Sequence, residues 1–254
     1  MHCAAIKHVY ISEYNPFEAM QTNIVGTNNV IEAALNSSVT KVVYTSSDKA
    51  VNPTSTMGAT KLLGERLISA ANNHSGVSST IFSSVRFGNV LNTNGSVLTI
   101  FKDQIKAGKQ LTITSENMTR FFLSMEQAVE LCMYACDNML GGEVFIKNMG
   151  CCSIMSLARA LTGKPDFSYK IIGHKPGEKT YEELVTDSEV ERTVRSDYWY
   201  TILPDNMVMI APKIAEAQQK RYSKFSRIDS PLNSKKELLS DIQVMSMLKN
   251  AKLI

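Results

Sequence analysis

No two cysteines form a Cys-x-x-Cys pair and no histidine stands near them at metal-ligand spacing, so the sequence offers no zinc-ribbon or dithiol redox site. The five cysteines, Cys3, Cys132, Cys136, Cys151 and Cys152, are odd in number. Cys132 and Cys136 are one helical turn apart and read as packed side chains. No apolar run is long enough to span a bilayer, and no secretory signal opens the chain. These absences predict a reducing, cytoplasmic setting. Net charge is also small, at +3, which gives no argument for a nucleic-acid or membrane partner. The basic excess sits in residues 206–254, where nine Lys or Arg face four Asp or Glu, and it reads as a solvated surface. The absence with most weight is glycine in pattern: none of the thirteen glycines forms G-x-G-x-x-G.

What is present is ordinary in bulk and specific in order. The 254 residues are 44% hydrophobic and 20% charged, as in soluble globular proteins. Strand character is strong at 41–46 (KVVYTS), 80–86 (TIFSSVR) and 143–147 (EVFIK). The first two are continuous apolar, β-branched runs suited to strands buried on both faces. Residues 1–6 form a shorter strand-like piece. Helical patterns cover 16–34, where Phe17, Met20, Ile24, Val30 and Ile31 recur, and 56–71, after a turn at Asn52-Pro53. Further helices are predicted at 97–107, 125–138 and 153–161. Strand and helix in this alternation predict an α/β doubly wound parallel sheet. Such a sheet should begin with a strand, a Gly-rich turn and a helix, so the pattern reads as one that starts part-way through.

Four constellations carry chemistry. Ser46-Ser47-Asp48-Lys49 follows the run at 41–46, at the carboxyl end of a parallel strand, where doubly wound sheets bind ligands. An adjacent carboxyl and amine can serve as acid and base if burial brings their pKa values toward neutrality; an exposed salt pair is the alternative. Met57-Gly58-Ala59-Thr60-Lys61 opens the next helix with Met57 and Lys61 on one face. In short-chain dehydrogenases that spacing belongs to Tyr-x-x-x-Lys; core plus surface is the plain alternative. Arg86-Phe87-Gly88-Asn89-Val90 places an amide directly after a buried strand, in reach of a sugar or phosphate. Met118-Thr119-Arg120-Phe121 and Lys175-Pro176-Gly177-Glu178-Lys179 each offer cations on loops, and two cations suit a diphosphate.

In this order the motifs resemble the inverting UDP-N-acetylglucosamine 4,6-dehydratases of flagellin-glycan and capsule biosynthesis, members of the extended short-chain dehydrogenase/reductases. The likeness opens at His2-Cys3-Ala4-Ala5-Ile6-Lys7-His8-Val9 and continues through Glu13-Tyr14-Asn15-Pro16 and Thr22-Asn23-Ile24-Val25-Gly26-Thr27. It then takes in the four constellations and thins after about residue 185. The resemblance implies a Rossmann-type fold without its first strands and with a smaller C-terminal substrate lobe. Residues 1–91 would belong to the dinucleotide-binding domain. Residues 92–205 would form the UDP-sugar portion, partly returning to the sheet, and 206–254 a basic C-terminal segment.

The resemblance also implies roles. Lys49 is the expected base for the carbon-5 proton, made neutral through a pKa lowered by burial or by a second cation, Lys7 or Lys61. Asp48 is the acid that expels the 6-hydroxyl, and Ser47 stands beside the 4-hydroxyl. Met57 occupies the place of the family's usual catalytic Tyr. Lys61 should hold the nicotinamide ribose of NADP, with NAD as the alternative, and Lys7 should lie where cofactor and substrate meet. Val90, Leu91, Asn92, Thr93 and Asn94 should back the nicotinamide, Asn89 and Val97 should touch the sugar, and Arg120, Lys175 and Glu178 should grip UDP. A homo-oligomeric lyase without metal is expected. Several residues depart from the pattern: Met57 carries no proton acceptor, Asn92-Thr93-Asn94 replaces Gly-Ser-Arg, Thr99 replaces a common Pro, and Lys175 replaces Arg, losing bidentate geometry. A non-catalytic UDP-sugar-binding protein and a carbon-4 epimerase are the alternatives.

Overall fold

The computed structural model describes residues 1–74, 79–205 and 212–254. Burial explains the first strand. Val42 and Tyr44 pack with Ile31, Ile68 and Phe82 on one side, while Val43 packs with Val85, Leu131 and Phe145 on the other. A strand with apolar side chains of both parities needs a cover on each face. The helices supply it, so the sheet is the middle layer of three.

In chain order the strands are β1 (Lys41–Ser47), β2 (Ile81–Phe87), β3 (Asn89–Val90), β4 (Leu111–Ile113), β5 (Thr119–Leu123), β6 (Val144–Lys147), β7 (Cys151–Ser153), β8 (Tyr169–Ile171), β9 (Glu183–Val185), β10 (Thr193–Arg195), β11 (Trp199–Ile202), β12 (Ser226–Arg227) and β13 (Leu232–Asn233). The helices are α1 (Val9–Tyr14), α2 (Pro16–Met20), α3 (Gly26–Leu35), α4 (Thr56–Ala71), α5 (Val97–Lys106), α6 (Met125–Asn138), α7 (Ile154–Thr162), α8 (Asp187–Val190), α9 (Pro212–Tyr222) and α10 (Asp241–Asn250). The main sheet runs β1-β2-β6-β11-β10-β12. Its first three strands are parallel and the last three return antiparallel. This is the α/β class the alternation predicts.

Two expectations change. Residues 1–6 form no strand beyond a single parallel bridge from His2 to Tyr44. The Asn23 side chain explains this: it accepts from Ile6 N (2.8 Å) and donates to Ile6 O (3.1 Å), taking both groups a ladder would need. The predicted helix over 16–34 is α2, a π turn at Gln21–Val25 and α3 in succession. Its buried face is Ala19, Asn23, Thr27, Ile31 and Ala34, whereas Phe17 is 62% exposed. Asn23 also donates to Thr60 Oγ1 (2.9 Å), tying the π turn to α4.

A second core forms around Leu98, Phe101, Ile113, Phe122, Leu157, Val244 and Leu248, joining α5, α7 and α10. The basic C-terminal segment therefore contributes packed apolar residues, while its nine cations are all exposed. Residues 206–211 of that segment lie outside the described residues. Cys132 and Cys136 pack against the core beneath α6, and all five cysteines are free.

One charge is buried at the seam of sheet and helices. Arg86 on β2, 2% exposed, donates through Nε and one terminal nitrogen to Glu65 of α4 (2.9 and 2.7 Å). Its terminal nitrogens also reach Glu189 of α8 (2.9 and 2.8 Å) and Leu184 O (2.8 Å). Arg86 thus fastens three elements rather than facing a ligand.

Candidate active site

The register of β1 on β2 builds the site. Ser46 lies opposite Arg86 and Ser47 opposite Phe87, so the next residues of both strands, Asp48-Lys49 and Gly88-Asn89, emerge together at the carboxyl edge. Lys49 Nζ donates to Asp48 Oδ1 (3.0 Å) and to Asn89 Oδ1 (3.4 Å). Gly58 keeps α4 close behind. A Cβ there would stand 2.2 Å from Lys49 O, so only glycine lets the helix start against this backbone. Ser55 caps that helix by accepting from Gly58 N (3.1 Å), a contact worth about 1 kcal/mol.

Lys49 and Asn89 line a cavity of about 250 Å³ with Val97, Arg120, Lys175, Glu178 and a residue the sequence did not single out, Glu182. Glu182 is 2% exposed, and its Oε1 lies 3.6 Å from Lys49 Nζ and 3.7 Å from Arg120 Nε. Among the described residues Glu182 Oε2 and Asp48 Oδ2 have no hydrogen-bond partner, although both side chains are buried. Unpaired buried oxygens are costly, and in a pocket they mark places where a ligand or a proton belongs. No signal in Lys179-Thr180-Tyr181-Glu182-Glu183 separates the buried Glu182 from an exposed acidic run.

The electrostatics of Lys49 differ from expectation. Burial pushes its ammonium down, but Asp48 and Glu182 outweigh both burial and Arg120 and hold its pKa above the ordinary lysine value. The predicted depression by Lys7 or Lys61 does not arise. Lys7 Nζ donates to Asn94 O (3.2 Å), and Lys61 Nζ donates to Thr45 O (2.7 Å) beneath the Tyr44 ring. Lys61 is the lysine that burial depresses, to about 8, with Cys3 and Glu65 opposing. Burial, the largest influence, pushes the Glu182 carboxyl up, and Asp48 adds to it against Lys49, Arg120 and Lys179.

The remaining predicted residues divide. Ser47 does not line the cavity; its hydroxyl donates to Asp48 Oδ1 (2.8 Å) and orients that carboxylate. Met57 is 3% exposed and lies outside the lining. Val90 closes β3, Leu91 is buried, and Asn92 turns the chain at φ 58° ahead of Thr93 and Asn94. Lys175 is exposed at the rim, and Glu178 folds back to accept from its N–H (3.1 Å). Arg120 is mainly a strut: its terminal nitrogens donate to Thr119 O (2.8 Å), Thr180 O (3.2 Å) and Lys179 O (2.7 Å), holding the loop that carries Glu182. Gly177 (φ 78°) brings the same loop onto Ser55, where a Cβ would stand 2.7 Å away.

A parallel α/β sheet thus brings a carboxyl–amine pair to its carboxyl edge, beside a pocket rimmed by a cation. The chain belongs to the polysaccharide biosynthesis protein family, whose model matches residues 1–204. It is 43% identical over 205 residues to the UDP-N-acetylglucosamine 4,6-dehydratase (inverting) of Campylobacter jejuni, covering 80% of this chain and 61% of that protein. It is 37% identical over 259 residues to the UDP-glucose 4-epimerase of Rickettsia rickettsii, covering 98% and 76%. The solved structure of Pen from Bacillus thuringiensis superposes with a TM-score of 0.86 at 39% identity, over 98% of this chain and 74% of that one. The chain thus spans less than two thirds of the dehydratase's length. Among the described residues no helix is long and apolar enough to cross a membrane.

Proposed function

We propose that the protein dehydrates UDP-N-acetylglucosamine to a 4-keto-6-deoxy sugar with inversion at carbon 5, as a cytoplasmic step of surface-polysaccharide or protein-glycan synthesis. The observation that carries this reading is the joining of Lys49, Asp48 and Asn89 at one edge of the sheet, beside a pocket rimmed by Lys175. The site fits the nicotinamide end of a dinucleotide. Lys61 keeps N–H donors beyond its bond to Thr45 O, Lys7 is tied to Asn94, and Ser46 Oγ is buried without a partner among the described residues. Lys61 and Lys7 would hold NADP or NAD, which when bound accepts hydride from carbon 4 and returns it to carbon 6. Ketone formation acidifies the carbon-5 proton, and neutral Lys49 takes it. Asp48 gives a proton to the 6-hydroxyl, which leaves as water, and Oδ2 is the oxygen free to carry that proton. Return of a proton to carbon 5 from the opposite face inverts it. Exposed Tyr14 and Phe17, at 66% and 62%, support a homo-oligomer.

The test is incubation with NADP and UDP-N-acetylglucosamine in deuterium oxide. We expect deuterium at carbon 5 and a 4-keto product, with Lys49→Ala lowering both rates by roughly 10²–10⁴-fold. Undiminished exchange in that variant overturns the assignment of the base. A carbon-4 epimerase is the second reading, favoured by the Rickettsia relative's match over 98% of the chain. It predicts inversion at carbon 4 with the 6-hydroxyl retained. An acid for water loss is superfluous to that chemistry, which leaves the Asp48–Lys49 pair unexplained.

A further inference from the structure

A base that rests protonated needs somewhere to put its proton before it can act. Lys49 is such a base: two carboxylates hold its ammonium, and their attraction exceeds the effect of burial. Release of that proton to bulk water would leave two carboxylates facing only Arg120 and Lys179 in a pocket of low dielectric. Transfer to a neighbouring carboxylate leaves the net charge of the pocket unchanged, and that is the cheaper route where charge is poorly solvated.

Two carboxylates face the ammonium and are not equivalent: Asp48 Oδ1 lies 3.0 Å away, whereas Glu182 Oε1, at 3.6 Å, must close by about 0.5 Å or be bridged by a water before a proton can pass. Asp48 Oδ1 already accepts from Ser47 Oγ and Lys49 Nζ, and any proton that Asp48 carries is consumed by the leaving hydroxyl in the proposed reaction, so Asp48 cannot keep one in store. Glu182 has no hydrogen bond to either carboxylate oxygen among the described residues, and Oε2 is buried without a partner. The charged groups around it are Lys49 and Asp48 from the end of β1, Arg120 from β5 and Lys179 from its own loop. Lys179 Nζ is bound to Val51 O (2.6 Å), and Arg120 to three backbone carbonyls. The Glu182 backbone is pinned from both sides, its N–H by Ser234 Oγ (2.9 Å) and its carbonyl by Ser234 N (2.8 Å). The carboxyl is therefore fixed in place and short of partners.

We propose that Glu182 is the positioning residue of Lys49 and the store for its proton. The Lys49 ammonium passes one proton to the Glu182 carboxylate, giving a neutral amine and a carboxylic acid. The amine then takes the substrate proton, which restores the ammonium, and the Glu182 acid afterwards gives its stored proton to water, returning the pocket to its resting charges. No electron moves and no other reactant is needed. The ion pair itself is independent of the dehydratase reading; only the identity of the proton taken up rests on it.

Two measurements separate the two. Competitive acetylation of lysines across pH, read by mass spectrometry on the intact protein, reports the titration of the Lys49 amine without any turnover. In Glu182→Gln the Lys49 curve should move to lower pH, and Glu182→Asp should restore part of the shift. With NADP and UDP-N-acetylglucosamine in deuterium oxide, Glu182→Gln should lower carbon-5 exchange at least tenfold and displace its pH profile, with UDP affinity within twofold of wild type. An unmoved Lys49 curve in Glu182→Gln overturns the proposal, and so does a moved curve with unchanged exchange. Absence of carbon-5 exchange in the wild-type protein sinks the dehydratase reading instead, while the acetylation curve still decides whether Glu182 governs Lys49.

Discussion

Two cations, the buried Arg86 and the half-buried Lys49, each sit between two carboxylates, and they have opposite uses. Arg86 turns its planar fork on Glu65, Glu189 and Leu184 O, with five hydrogen bonds at 2.7–2.9 Å. Lys49 has one close partner in Asp48, longer contacts to Asn89 and Glu182, and a cavity in front of it. A network with its donors and acceptors matched holds elements together. One with unpaired oxygens keeps capacity for a ligand or a proton. Composition alone would not distinguish them; geometry and orphaned atoms do.

The largest effect should come from breaking the matched network. Arg86→Ala leaves Glu65 buried without its cation and Glu189 with only the longer contact to Arg192, and should cost about 3–5 kcal/mol, read as a lowered urea midpoint at unchanged slope. A loss below about 1 kcal/mol would mean that the cluster is wetter than its burial indicates.

A paired substitution sharpens the contrast. Glu189→Gln weakens charge-assisted bonds to Arg86 and should cost roughly 1.5–3 kcal/mol. Glu182→Gln removes a carboxylate that has only longer ion contacts and no hydrogen bond among the described residues, and should stay within about 1 kcal/mol of wild type. Equal costs would erase the distinction drawn here.

The smallest effect is a dependence on acid. Burial pushes Glu189 up, but the hydrogen bonds and charge of Arg86 prevail and hold it at about 2, below the ordinary 4.5. A depressed carboxyl stabilises the fold fully above pH 4.5, and its contribution is lost as pH falls toward 2. Urea midpoints measured across that window should fall more steeply for wild type than for Glu189→Gln.

Much of the framework was legible before any coordinates. The β-branched runs at β1 and β2 read as buried parallel strands because side chains of both parities were apolar, and α4 and α6 followed from their periodicity. Asp48, Lys49 and Asn89 were legible because strand ends are where such sheets present groups. The helix over 16–34 misled because Phe17 and Met20 carry the apolar period, whereas Ala19, Asn23 and Thr27 carry the contacts. The single strand expected at 1–6 failed because a distant amide, Asn23, satisfies Ile6. Glu182 was hidden for a related reason: its partners come from β1 and β5, and nothing local reveals which acid of a charged run is buried. The pKa of Lys49 was read in the wrong direction because those same partners are carboxylates.

The π turn at Gln21–Val25 is, in effect, a phase adjuster. An unbroken α-helix advances roughly 100° per residue, so from Ala19 to Ile31 it would end about 120° away from where it began. Both residues are nonetheless buried, at 0% and 5%. The wider turn winds less per residue and takes up part of that rotation. It does so where the Asn23 amide must meet both Ile6 and Thr60. Loss of a single residue between 21 and 25 would convert the segment to ordinary α-helix and rotate its two halves against each other. The pivot of the segment that carries Lys7 toward Asn94 therefore rests on one surplus residue in a helix wall.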